Sequence, residues 1–244
     1  MDTGLHRQGF LLSDVDRLIL RLRDLPQIEV QGVYTHFAAA TDNRNRSYTE
    51  KQVDRFNIVC DRLLADYPQL TKHAAATAGT LYYPKAYFDM VRIGIGLFGV
   101  KPSPDLQPLA FNLWPILSWR TIVSEVKNLS KGVKIGYDLT AELKRDSTIA
   151  VLPIGYWHGL PRALSNKGAV LINGRQCPVL GRVCMNMVTV DVTDAGDIKV
   201  GDVATLIGKD ENNTVTAPEL SGLAGVSHYE LLTRLNPLIQ RYYI

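Results

Sequence analysis

Cysteine is scarce in this chain of 244 residues: Cys60, Cys177 and Cys184 are odd in number and have no Cys-x-x-Cys spacing. A disulfide framework and a zinc site are both unexpected on that count. No run of about 18 uncharged apolar residues exists to cross a bilayer. Nor is there a block of Lys or Arg. With 27 basic against 24 acidic residues the net charge is only +3, which gives no electrostatic footprint for nucleic acid. The opening Met1-Asp2-Thr3-Gly4-Leu5-His6-Arg7 lacks the basic-then-apolar layout of a signal peptide, so a reducing, cytoplasmic setting is expected. The sequons at Asn45, Asn128 and Asn212 carry no meaning there. What the chain does have is 46% apolar residues, enough for one or two cored domains that handle a small ligand.

The first part alternates strand-like and helical patterns. Ser13 is positioned to cap a helix whose face carries Val15, Leu18, Ile19 and Leu22, with Asp16 three residues after the cap and Pro26 as its stop. Residues 28–36 read as a strand and 48–67 as a helix buried along Val53, Phe56, Cys60, Leu63 and Leu64. Strands at 70–76 and 90–95 follow, joined by a short helical connection that ends near Pro84. Strand, helix, strand, helix implies parallel pairing. From Ile116 the pattern turns to period two through Val126, and more strands are expected at 148–154, 169–172, 188–192 and 203–207. Asn173-Gly174 marks a two-residue hairpin. Thr216 with Glu219 and Ser227 with Glu230 have capping-box spacing, so two short helices come near the end. The expected domains are residues 1–111, α/β, and residues 112–244, all β. A closed barrel of eight strand–helix units takes about 250 residues, and the parallel region has room for roughly half of that. The expectation is therefore a partial (β/α)8 barrel lacking its N-terminal strands, the C-terminal part of a longer protein; a small open sheet is the alternative.

Gly94-Ile95-Gly96-Leu97-Phe98-Gly99 has dinucleotide-fold spacing, but that loop must open a helix and be followed by an acid about 20 residues on. Pro102 and Pro104 forbid the helix, and position 119 is Trp. What remains is a glycine-bearing strand end whose backbone N–H groups can approach a phosphate. His36 and Arg92 each end an expected strand, on the face where barrel sites are built, and Arg7 follows the opening loop. Together they suggest an anionic or aromatic-nitrogen ligand held between cations.

Asp2-Thr3-Gly4-Leu5-His6-Arg7, Thr35-His36-Phe37-Ala38, Val91-Arg92-Ile93-Gly94-Ile95, Gly136-Tyr137, Leu152-Pro153-Ile154-Gly155-Tyr156, Gly181-Arg182-Val183-Cys184-Met185 and His228-Tyr229-Glu230 resemble, in that order, the signatures of the alanine racemase family, which uses pyridoxal 5'-phosphate. The resemblance implies a barrel that holds the cofactor and a C-terminal β domain that covers the partner subunit's site, hence a homodimer with shared sites. It also implies roles. Arg92 would face the pyridine nitrogen; a guanidinium gives up no proton at accessible pH, so the ring stays a weak electron sink and side reactions are suppressed. His36 would orient Arg92, Thr77 and the Gly94 and Ile95 amides would bind phosphate, and Tyr229 would donate a phenol hydrogen bond. Tyr137 would be one catalytic base. A phenol titrates near pKa 10, so a neighbouring cation is needed, and Arg7 is implied as that cation and as holder of the substrate carboxylate, helped by the Met185 backbone. Tyr156 would narrow the substrate entrance.

Departures from the family pattern are equally specific. The lysine-bearing Ala-x-x-Lys-Ala-Asn-Ala-Tyr-Gly stretch that carries the cofactor occurs nowhere in the chain, and Lys72 reads as an exposed strand-start lysine, not a substitute. His158 stands where the family commonly has Asp. Asn186 replaces an Asp, an exchange that resembles serine racemases. The expected function is alanine racemisation supplying D-alanine for cell-wall peptides, with serine racemisation or a non-catalytic cofactor- or partner-binding remnant as alternatives.

Overall fold

The structure is a computed structural model that describes residues 1–243, and its chain separates into two units, Met1–Ile116 and Leu117 onward. In the first, a single 3-10 turn at Leu12–Asp14 leads into α1, Val15–Arg23. The expected Ser13 cap does not form: Ser13 lies inside the 3-10 turn, and Asp14, the residue ahead of α1, makes no side-chain cap bond but accepts the Leu11 N–H at 3.1 Å. β1 is only Gly32–Tyr34 and β2 only Thr71–His73, parallel, with Gly32 opposite Thr71 and Tyr34 opposite His73. The longer strand expected over 28–36 fails at its start because the Ile28 N–H bonds back to Leu25 O, closing a turn after the helix. Gly32 is needed for the approach: a Cβ there would lie 2.9 Å from Thr71 O.

Between the strands runs α2, Arg46–Leu64, which buries the expected Val53, Phe56, Cys60 and Leu63 together with Val59, Thr49 and Gln52. Leu64 is only half-buried, a step round the helix from that stripe. α3, Thr77–Tyr82, is the expected short helical connection. Residues 90–95 are not a strand. Asp89 N–H bonds to Lys72 O and Arg92 N–H to Ala75 O, and this three-residue spacing on both sides breaks the two-residue repeat of a parallel ladder. Lys72 is not an exposed lysine at a strand start either: it lies mid-strand in β2, its side chain about a quarter exposed and its Nζ 3.6 Å from Asp89. The unit is thus a strand–helix–strand portion of a (β/α)8-type barrel.

The second unit is a β domain. The single strand expected from Ile116 to Val126 divides into β3, Trp119–Ile122, and β4, Glu125–Leu129. The division occurs where the chain changes neighbours: Val123 N–H bonds to Asp202 O, and Ser124 N–H to Val151 O. A small hairpin follows, β5, Lys134–Ile135, with β6, Ala141–Glu142, both absent from the sequence expectation. Then come β7, Ser147–Leu152; β8, Ala169–Ile172; β9, Arg175–Leu180; β10, Val188–Asp191; β11, Val203–Asp210; and β12, Asn213–Val215. They pair in the order β12-β11-β8-β9-β10-β7-β4, with β3 also on β11. Because β3 and β4 are consecutive yet sit on β11 and β7, one continuous segment bridges distant strands and the sheet curls round a core of Leu152, Leu171, Ile172 and Leu206, each with no exposed surface.

Asn173 (φ 50°) and Gly174 (φ 66°) form the expected hairpin between β8 and β9, both in the left-handed region that a type I′ turn requires. Thr216 and Glu219 make a reciprocal capping box on α4, Ala217–Ala224. On α5, His228–Thr233, Ser227 accepts the Tyr229 N–H instead, and Glu230 pairs with Arg234 one turn on, so no box forms there. Among the described residues no helix is long and apolar enough to cross a membrane.

Thr49 has no exposed surface, and its hydroxyl meets no hydrogen-bond partner among the described residues. Replacing it by the isosteric valine removes the stranded hydroxyl and should stabilise the chain by about 1 kcal/mol. A lower midpoint of Thr49→Val in urea would show that the hydroxyl is satisfied after all.

Candidate functional site

The first unit gathers its charged chemistry at the carboxyl ends of its two strands. The parallel register puts Thr35 beyond β1 and Ala74 beyond β2 at one level, and Arg92 enters between them. Its NH2 group donates to Thr35 O at 2.9 Å and Ala74 O at 3.0 Å, and its NH1 group to His73 O at 3.2 Å. Two imidazoles complete the set: His73 Nδ1 lies 2.8 Å from NH1 and His36 Nδ1 3.2 Å from NH2. A guanidinium has only donors, so both Nδ1 atoms accept and each neutral ring carries its proton on Nε2. The cation also sits over the Tyr34 ring, 5.4 Å from its centroid, and Tyr34 stacks on His73. Among the described residues Arg92 Nε–H meets no acceptor, which leaves one donor for a ligand.

His36 is therefore brought to Arg92 as the sequence suggested, whereas His73 was missed. Its signal lies only in strand register, which a linear motif does not carry. Burial first, and then the charge of Arg92, holds both imidazoles below their ordinary pKa; for His36, Arg7 adds to the effect. Arg7 is exposed, and it lines a cavity of about 430 Å³ together with Tyr34 and His36. Its loop is held by Asp2, whose carboxylate accepts the N–H groups of Gly4 at 2.9 Å and His6 at 3.0 Å. Burial pushes that carboxyl up, but these bonds outweigh it and its pKa falls.

Thr77 opens α3 with its hydroxyl turned to the glycine loop, where Oγ1 accepts the Gly94 N–H at 3.0 Å and the Gly96 N–H at 3.4 Å. The amides that meet the hydroxyl are those of Gly94 and Gly96, not of Ile95, whose side chain is buried at the start of a 3-10 turn. A Cβ at Gly94 would meet nothing within 4 Å, so an anion has room against this backbone. Gly99, at φ 69°, ends the turn against Trp114 O, where no larger residue fits; this is no dinucleotide helix.

The second unit carries the remaining candidates. Tyr137 projects from a turn in which Gly136, Asp138 and Leu139 all have positive φ, and it is 70% exposed. Beside the turn Asp138 Oδ2 lies 2.8 Å from Arg182 Nε, an ion pair the sequence reading did not single out. Tyr156 and Met185 are brought together by backbone, since Tyr156 N–H bonds to Cys184 O at 3.0 Å and Trp157 N–H to Met185 O at 2.8 Å. Gly155 is obligatory there, because a Cβ would lie 2.2 Å from Cys184 O. His158 accepts the Gly155 N–H on Nδ1 at 3.1 Å. Tyr229 stands in the first turn of α5, partly exposed, with its phenol pKa raised by burial. Among the described residues no cluster of His, Cys, Asp or Glu could hold a metal.

The two histidines set a pH dependence. Their folded pKa values lie below the ordinary 6.5, so the native state binds fewer protons than the unfolded one at pH below about 7. Their contribution to stability is full above 6.5 and is lost as pH falls through the folded values. The first unit should melt lower at pH 5.5 than at pH 7.5, and both rings should titrate below 6.5 in proton NMR. Titration of either ring above 6.5 contradicts the Nδ1-acceptor arrangement.

Residues 116–243 match the family model for the alanine racemase C-terminal domain, and residues 1–102 that for the alanine racemase N-terminal domain. The alanine racemase of Halothermothrix orenii is 38% identical over the whole chain, and that of Methanococcus maripaludis 39% identical. The chain spans about 64% and 65% of their respective lengths. Among solved structures, the Bacillus anthracis alanine racemase with bound L-Ala-P superposes with a TM-score of 0.89 at 33% identity, covering 97% of this chain and 61% of that one. The alanine racemase from E. faecalis gives 0.88 at 30% identity, with 97% and 62% covered. A partial (β/α)8 barrel followed by a β domain, bearing this Arg92 cluster and this order of motifs, places the chain in the alanine racemase family.

Proposed function

We propose that the chain forms the larger part of a pyridoxal 5'-phosphate-dependent alanine racemase of the cytoplasm, one that supplies D-alanine for cell-wall peptides and works as a homodimer with shared sites. The observation that carries this reading is Arg92. A guanidinium held by two imidazoles and three carbonyls, with Nε–H left over, suits an aromatic nitrogen that must accept a hydrogen bond and receive no proton. The first unit is then the cofactor-binding half-barrel, with Thr77, Gly94 and Ile95 at the phosphate. For Tyr229 the family resemblance implies a phenol that binds phosphate. Bound there, the cofactor supplies an electron sink for the α-carbon of an amino acid.

The chain's own residues do the rest. Arg7 binds the substrate carboxylate, with the Met185 backbone as a second holder. Tyr137 keeps or gives a proton at its phenol oxygen on one face of the α-carbon. Tyr156 narrows the entrance to side chains of alanine or serine size. The opposite face needs the cofactor-bearing lysine, and Lys72 is not it, since that ammonium is paired with Asp89. The chain by itself therefore binds and orients but does not turn over.

Two experiments test this. Incubated with pyridoxal phosphate and borohydride, the chain should give no stoichiometrically labelled lysine peptide. Completed with the N-terminal barrel segment of a relative, it should racemise alanine, and Tyr137→Phe should cut kcat by at least about a hundredfold while cofactor binding is kept. A completed enzyme that binds the cofactor but racemises no amino acid, or near-full activity of Tyr137→Phe, overturns the reading or the base assignment respectively.

Asn186 favours a second substrate, serine. It is exposed beside Met185 and offers both an N–H donor and a C=O acceptor, where Asp would offer acceptors alone. A serine hydroxyl can pair with the amide, and a methyl is still admitted, so the preference should be modest, about 0.5–1.5 kcal/mol. In the completed enzyme, Asn186→Asp should lower the serine-to-alanine ratio of kcat/KM several-fold. An unchanged ratio removes the serine reading.

A further inference from the structure

α2 turns a polar stripe toward the loop that carries Arg7. Tyr48, Gln52 and Arg55, spaced four and three residues apart, lie on one helical face. The Tyr48 hydroxyl donates to Gly4 O at 2.7 Å, and Arg55 donates to Thr3 O at 2.9 Å. Gln52, at the centre of the stripe, has no exposed surface. Its Nε2 donates both to Thr3 Oγ1 at 3.2 Å and to His36 O at 3.2 Å, and its Oε1 accepts the Ala38 N–H at 2.9 Å. Thr3 and Thr35, both buried, share a hydroxyl–hydroxyl bond of 2.6 Å, and Thr35 O is one of the acceptors of Arg92. One carboxamide thus ties the Arg7 loop to the His36 segment, and the paired threonines carry the tie on to Arg92.

We propose that Gln52 is a positioning residue of this site: it sets the distance between the loop that presents Arg7 and the imidazole that supports Arg92. The proposal rests on the functional roles assigned above to Arg7, His36 and Arg92. Two donors and one acceptor on one planar group, spaced to reach a hydroxyl, a carbonyl and an amide, are what a primary carboxamide offers; an ionised carboxylate has no donor and an apolar chain has neither. The same three bonds leave His73 untouched, since that ring reaches Arg92 from β2. Loss of the carboxamide should therefore loosen His36 and spare His73.

The test reads the histidine rings in the chain alone, by nitrogen-edited NMR across pH, in the wild type, Gln52→Leu and Gln52→Met. Thr49→Val, equally buried on the same helix but outside the network, is the control. The charged groups that face His36 are Arg92 from the segment after β2 and Arg7 from the opening loop. When the carboxamide is lost the His36 ring should swing from them, its titration should rise toward 6.5, and its Nδ1 should lose the shift of a hydrogen-bond acceptor. His73 should keep both properties, and Thr49→Val should move neither ring. No movement of His36 in a folded variant overturns the proposal, and so does equal movement of both rings. If Gln52→Leu and Gln52→Met both fail to fold while Thr49→Val folds, Gln52 is a stability residue and the positioning role is likewise overturned. No cofactor or substrate enters this measurement. A negative result leaves the racemase reading intact, and a completed enzyme that fails to racemise leaves the ring titrations as they are.

Discussion

The guanidinium of Arg92 is the constraint around which the first unit is arranged. Drawing a cation into a half-buried position is costly unless its N–H groups find acceptors, and the acceptors here come from the ends of two different strands. Thr35 O follows β1, His73 O ends β2 and Ala74 O follows it, and the imidazoles of His36 and His73 close the ring. A slip of either strand would carry its carbonyls and its imidazole away from the guanidinium together. The parallel register of two three-residue strands, weak as a ladder, is thereby fixed by what happens just beyond its end.

The second unit solves a different problem, which is to hold exposed aromatic and thioether side chains on rigid backbone. Tyr137 and Met185 are each more than half exposed and Tyr156 nearly so, so packing alone does not hold them. Backbone conformation does. The positive φ angles at 136, 138 and 139 fix the Tyr137 turn, and the Gly155 approach to Cys184 O leaves one way to seat Tyr156 beside Met185. Rigid placement of side chains that themselves stay free of the core is what a site built on loops requires.

Local signals in the sequence were legible. Asn173-Gly174 specifies a left-handed pair of residues and nothing else, so its hairpin could be read directly, and so could the reciprocal bonds of Thr216 and Glu219. α2 was visible because the apolar Val53, Phe56, Cys60 and Leu63, all buried, recur at helical spacing. Signals that depend on a distant neighbour were not legible. The period-two run after Ile116 does not reveal that the chain changes partners at Val123. Residues 90–95 look like a strand, but their bonds to β2 come at the wrong interval. The same holds for the site: Arg92 and His36 stand in recognisable motifs, whereas His73 and Gln52 have identities that only the strand register and the packing of α2 explain.

The tautomers of the two histidines have one more consequence. With the near nitrogen of each ring bare and facing a group that never gives up a proton, there is no hop by which a proton taken up by one imidazole could pass through Arg92 to the other. The cluster conducts electrostatic influence but insulates against proton flow. A reaction beside it can alter the charge it feels without exchanging hydrogen through that wall, so hydrogen must enter and leave by another route.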